Sequence, residues 1–202
     1  MQKRIAQFFS IIFHPLLMPT IGIYIIFHSD IYFNYIPDEL KRVIYIIVFI
    51  CTTVLPLSLM PFFIYQRIIQ NIQMSRRRDR LIPLIITTVM YIFTYYLLYK
   101  LQTPEHVKLF ILAAAILVLI TCLISIKWKI SAHMVGIGGL VGMIIALYSK
   151  MSGNLNFYLF ISIFIAGLVG ASRLKLNAHN SRQVYIGLVI GLIPTLLIML
   201  FF

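Results

Sequence analysis

At 202 residues with 61% hydrophobic and only 11% charged side chains, the chain lies far outside the balance of a soluble globular domain and reads as integral to a membrane. Its formal net charge of +12 does not point to nucleic acid, because most basic residues flank apolar runs instead of covering a polar face; phosphate and lipid headgroups are the anions they meet. Cys51 and Cys122 each sit inside an apolar run and read as small hydrophobic residues, not as a disulfide or a metal pair.

A hydrocarbon core of about 30 Å takes about 20 apolar helical residues, because backbone groups in lipid must bond within their own segment. Seven stretches qualify, at 5–28, 43–66, 81–101, 107–126, 133–149, 155–171 and 184–202, which predicts an all-α polytopic bundle of six to seven transmembrane helices. The first follows MQKRIAQFF, with no small-residue cleavage site at signal-peptide distance, and is expected as a retained helix. It carries His14 before Pro15. An ionisable group at membrane depth is a functional suspect, and an equal reading is that it bonds a carbonyl freed by the proline kink or faces the site as a structural partner without a catalytic part. Prolines 56, 61 and 194 mark further kinks or helix starts, and Pro83 suits the first turn of the third span.

The run QRIIQNIQMSRRRDR leads into that third span with Arg76, Arg77, Arg78 and Arg80, and reads equally as an amphipathic helix drawn to anionic lipid. Tyr95, Tyr96 and Tyr99 fit an aromatic belt, as does Trp128, while His28 and His106 fall at span edges that face water. KISAHMVG separates the fourth and fifth spans. Gly138 and Gly142, then Gly187 and Gly191, recur four apart and mark places where helices approach closely. SRLKLNAHNSRQ separates the sixth and seventh spans.

With seven spans, the N-terminus shares one face with the segments near 67–80, 127–132 and 172–183. That face holds twelve of the seventeen lysines and arginines and one of the five acids. Such an excess marks a cytoplasmic side, although arginines retained for phosphate would inflate it. The topology rule asks only for Lys and Arg, yet the face also receives His133, His179, Ser131, Ser172, Asn177 and Gln183. A phosphate-handling site needs cationic donors, a nucleophile and an acid for the leaving oxygen, and each type is present.

SRLKLNAHNSRQVYIG resembles the third signature of the type 2 phosphatidic acid phosphatase superfamily, in which Ser-Arg is followed after five residues by His and after three more by Asp. Ser172, Arg173 and His179 fall in register, with Gln183 where the family has Asp. ISAHMVGIGGLVG resembles the second signature, Pro-Ser-Gly-His, through Ser131 and His133. The first signature, Lys then six residues then Arg-Pro, is not met, and RRRDRLIP is a loose counterpart; Arg77 and Arg80 are chosen because a three-residue step puts them on one side of a helix.

The resemblance implies a single membrane domain over 1–202 with a phosphatase-like core at about 67–202, in a bacterial cytoplasmic membrane. It implies that His179 attacks phosphorus, His133 protonates the leaving alcohol, and Gln183 orients His179. Arg173, Arg80, Arg77, Ser131 and Lys129 would bind the phosphate. No metal and no cofactor are expected, and the partners would be membrane lipids carrying phosphate or diphosphate. The alternative is a protein that binds or transports phospholipid headgroups without hydrolysis, since Gln183 brings no charge. Lipid identity, the side faced by the site and the oligomeric state stay open at this level.

Overall fold

The computed structural model describes residues 2–29, 35–71, 74, 76–150 and 155–202; among them 84% of the chain is helical and no strand occurs. Seven of the described helices are long and apolar enough to cross a membrane: Lys3–His28, Asp38–Tyr65, Arg78–Lys100, Glu105–Lys127, Ala132–Lys150, Asn156–Lys175 and Ser181–Phe201. The second begins earlier than apolarity alone predicts, because Asp38 and Glu39 occupy its first turn, where the helix dipole favours acids. The protein is an all-α transmembrane bundle.

Both of the first two spans are interrupted. In the first, α1 (Gln2–Ile12) gives way at His14 to a 3-10 turn over Pro15–Leu17, and α2 (Met18–His28) resumes. In the second, α3 (Asp38–Phe49) passes into a π turn over Ile50–Val54, then α4 (Leu55–Ser58) and α5 (Met60–Tyr65). The two interruptions meet. Thr53 Oγ1 donates to the Leu16 carbonyl at 2.8 Å and Thr52 Oγ1 approaches it at 3.5 Å, so hydroxyls of one break satisfy a backbone acceptor of the other.

A 3-10 turn over Arg78–Arg80 opens α6 (Leu81–Lys100), followed by α7 (Glu105–Lys127), α8 (Ala132–Lys150), α9 (Asn156–Lys175) and α10 (Ser181–Phe201). α8 is the innermost, with 67% of its span buried against 28% in α9 and in α10. Its main neighbour is α10. A Cβ on Gly138 or Gly142 would overlap the carbonyls of Leu188 and Leu192, and one on Gly191 would overlap that of Val135, so the backbones are in direct contact. Gly187 lies against Ser131 and Gly191 against Val135, which makes the two helices parallel and brings both N-termini to one end of the bundle. The spacing of four glycines thus sets the two histidine-bearing segments side by side.

Candidate functional site

A cavity of about 370 Å³ opens inside this end of the bundle. Its polar part is lined by Ser10, His14, Arg80, His133, Arg173 and His179, drawn from four of the spans and the loop before the seventh. The rest is mainly apolar, running between the spans past Met18, Met60, Phe110, Leu117 and Gly139, with hydroxyls from Thr87, Tyr91, Thr121 and Thr195. The space thus joins a charged end to a mainly apolar one.

The polar stretch between the sixth and seventh spans is first of all a helix stop followed by a helix start. α9 closes with Asn177 in the left-handed region at φ 50°, while Asn177 N–H donates to Leu174 O at 3.0 Å and Ala178 N–H to Arg173 O at 3.2 Å. This double bond pattern satisfies carbonyls that a helix end leaves open, and Asn tolerates the left-handed conformation better than most residues. Ser172 Oγ donates back to Leu168 O at 2.7 Å. Asn180 then caps α10 through a reciprocal box: Gln183 N–H donates to Asn180 Oδ1 at 3.0 Å, and Asn180 N–H to Gln183 Oε1 at 3.3 Å.

That cap fixes the chemistry of His179. Gln183 Oε1 also lies 2.9 Å from His179 Nδ1. A backbone N–H can only donate, so the Gln183 atom it meets is the carbonyl oxygen, and the histidine nitrogen facing the same oxygen must carry a proton. The lone pair is therefore on Nε2. His179 is only 8% exposed, and this burial lowers its pKa from 6.5 to about 4; the Gln183 bond opposes the shift, while the charges of Arg80, Arg173 and Lys129 add to it. At neutral pH the ring is uncharged and carries its free electron pair on Nε2.

Three cations surround it. Arg80 is held by bonds from Nε to Met74 O at 3.1 Å and from Nη1 to Ile130 O at 3.0 Å. Arg173 Nε is buried and meets no acceptor among the described residues. Lys129 has its pKa lowered by burial first and then by the neighbouring charges of Arg80 and Arg173. The ion pairs among the described residues, Lys41 with Asp38 and Lys108 with Glu105, lie at the other end of the bundle. Asp79 Oδ2 is buried without a bond. A cationic cluster lacking a carboxylate is an anion site by Coulomb's law.

Of the residues predicted from sequence, His179, His133, Arg80 and Arg173 line the cavity together. Gln183 stands one bond behind them, Lys129 beside them, and Ser131 is fully buried with its N–H 3.4 Å from Gln183 O and its Oγ unbonded. Arg77 is elsewhere. It is exposed and donates from Nη1 to Lys127 O at 2.6 Å, so it covers a carbonyl at the C-terminus of α7, where the helix dipole attracts a cation. Arg77 and Arg80 part because Arg77 precedes the 3-10 turn over Arg78–Arg80 and each arginine takes a different backbone carbonyl, that of Lys127 for Arg77 and that of Ile130 for Arg80.

Sequence reasoning singled out His14 in the first span but missed Ser10. His133 Nε2 lies 3.0 Å from the Ser10 carbonyl and must donate to it, which leaves Nδ1 as its second nitrogen. His14 Nδ1 accepts Leu16 N–H at 3.4 Å, so His14 caps a backbone donor in place of a freed carbonyl, and its ring meets that of His133 edge-on at 5.4 Å. Ser10 Oγ is buried without a bond. The available signal was Ala6 and Ser10, two small residues four apart among phenylalanines and isoleucines, which are the buried positions of α1.

No group of three or more His, Cys, Asp or Glu among the described residues is placed to hold a metal ion. No protein-family model, curated protein or solved structure matches the chain.

Proposed function

We propose that the protein removes phosphate from a phosphate or diphosphate ester of a membrane lipid, without a metal, through a covalent intermediate on His179. The observation that carries this reading is a neutral histidine with its Nε2 lone pair fixed by Gln183, beside three uncompensated cations, where a polar pocket continues into a mainly apolar one. The correspondence of Ser131, His133, Ser172, Arg173 and His179 with the phosphatidic acid phosphatase signatures adds to it.

In the first step His179 Nε2 attacks phosphorus and the ester P–O bond breaks, while Arg80, Arg173 and Lys129 draw the charge of the phosphoryl oxygens. The leaving oxygen needs a proton. Because His133 Nε2–H is given to Ser10, the proton it transfers passes through Nδ1, which takes it up from the bound phosphate monoester and hands it to the leaving oxygen. Water then attacks phosphorus, the N–P bond breaks, and the proton from water passes through His133 Nδ1 to the phosphate released. Gln183 performs the orienting half of the work an Asp would do, holding the Nδ1–H tautomer. It contributes no charge to the phosphohistidine.

That missing charge favours a second reading, in which the pocket binds lipid headgroups and does not turn them over. Phosphate release by purified protein in lipid vesicles, from phosphatidic acid and from a prenyl diphosphate and without divalent metal, decides between them. Turnover that vanishes in His179→Ala supports the enzyme. Lipid binding without turnover, equal in the wild type and His179→Ala, supports the second reading and overturns the first.

A further inference from the structure

The interrupted spans also indicate how a tail reaches the cavity. Beyond the junction of Thr53 with Leu16, the two half-helices part: α1 packs against α9, whereas α4 packs against α6. The cavity lies in the space between them, with Ser10 and Ile11 on one side and Leu57 and Met60 on the other. Of its described lining residues only two are exposed, Ile11 at 71% and Leu57 at 44%. Both belong to membrane-spanning helices, so what they are exposed to is the hydrocarbon of the bilayer.

We infer that the gap between Ile11 and Leu57 is a lateral portal through which a hydrocarbon chain of a phosphate-bearing lipid enters from the bilayer, the head lodging at Arg80, Lys129 and Arg173. This rests on the pocket being a lipid-phosphate site, whether or not it hydrolyses its ligand. The occupant follows from complementarity at both ends: an anion where three cations lack carboxylates, and a chain where the walls are mainly apolar. The breaks make the opening possible without orphaning backbone groups, because each lies where Thr53 and Leu16 bond across the junction.

The test uses the full chain in nanodiscs, with Cys51→Ala and Cys122→Ala as background, Leu57→Cys at the portal and Ile85→Cys as a control. Ile85 is 52% exposed to lipid and does not line the cavity. Each cysteine is alkylated with a bulky maleimide. The first readout is photocrosslinking of a single-chain alkyl phosphate bearing a diazirine near the tail end, located by mass spectrometry. The portal predicts crosslinks to interior residues such as Phe110, reduced at least tenfold by the label on Leu57→Cys and unchanged by the label on Ile85→Cys. Interior crosslinks that survive the Leu57 label, or that never form, overturn it.

The second readout is hydrolysis of the alkyl phosphate and of a water-soluble aryl phosphate. A Leu57 label that blocks the first at least tenfold and spares the second supports the portal; equal loss of both counts against it. Absence of all hydrolysis with intact interior crosslinking sinks the phosphatase reading and leaves the portal standing.

Discussion

At the scale of single residues, the site depends on one amide. Gln183 Oε1 takes protons from both His179 and Asn180, so its replacement changes a tautomer as well as a contact. Under the proposed mechanism Gln183→Leu is expected to lower kcat by about 10² to 10⁴, the upper figure being the scale seen when the orienting carboxylate of a serine protease becomes an amide. Gln183→Glu should act in the opposite direction, keeping the acceptor and adding a charge that stabilises the phosphohistidine. Because the folded pKa of His179 is about 4, the acid limb of kcat/KM assigned to the nucleophile belongs near pH 4, and Gln183→Glu should move it upward. The same shift has a stability consequence. The unfolded chain takes up a proton near pH 6.5 and the folded one only near 4, so resistance to thermal unfolding should fall as pH drops through that interval and recover on return to neutrality. Arg77→Ala is expected to leave phosphate binding intact, whereas Arg173→Ala should weaken it at least tenfold, as equilibrium binding of inorganic phosphate would read.

At the scale of elements, the polar loop before α10 owes much of its composition to helix termini. Asn180→Ala removes a cap and should destabilise the protein by about 1 kcal/mol. It should also loosen Gln183, so that turnover falls more than stability accounts for, a difference readable from thermal melts run beside kinetics. Asn177→Gly keeps the left-handed turn at φ 50° and is expected to be neutral or slightly stabilising by the same melts. The contact between α8 and α10 tolerates no such freedom. A Cβ on Gly191 meets the Val135 backbone, not the far end of a flexible side chain, so Gly191→Leu should separate the helices and with them Ser131 from Gln183. Loss of both phosphate binding and thermal stability would be the result; retention of either would mean that the site does not depend on this crossing.

At the scale of the whole molecule, seven spans place the two ends of the described chain on opposite sides of the membrane, with Lys3, Lys129 and His179 at one end of the bundle. Single cysteines at Gln2 and Asn177, in a background free of Cys51 and Cys122, should react with an impermeant thiol reagent from the same side, and a cysteine at Phe202 from the other. Reaction of Gln2 and Asn177 from different sides would remove a span and scatter the site. The experiment also fixes which side the cationic pocket faces, a matter on which the excess of Lys and Arg and the needs of a phosphate site make competing demands.

Hydropathy and length determined the membrane class and the seven spans, because a bilayer imposes the same requirement on every crossing helix and that requirement is local. The histidines, Arg173 and Arg80 were legible for a related reason: polar groups stand out where nearly everything else is hydrocarbon. Gln183 was legible as a departure from a pattern and as the group expected to orient His179, but its bond to Asn180, which fixes the amide oxygen and with it the tautomer, was not, since a cap depends on backbone geometry that the letters do not carry. Ser10, the partners of His14 and the place of Arg77 were decided only by tertiary structure. Ser10 lies 123 positions from His133 in sequence, and Arg77 lies 50 from the carbonyl it covers. Which backbone acceptor a side chain meets across such a distance is set by how the helices pack, and no local pattern records it.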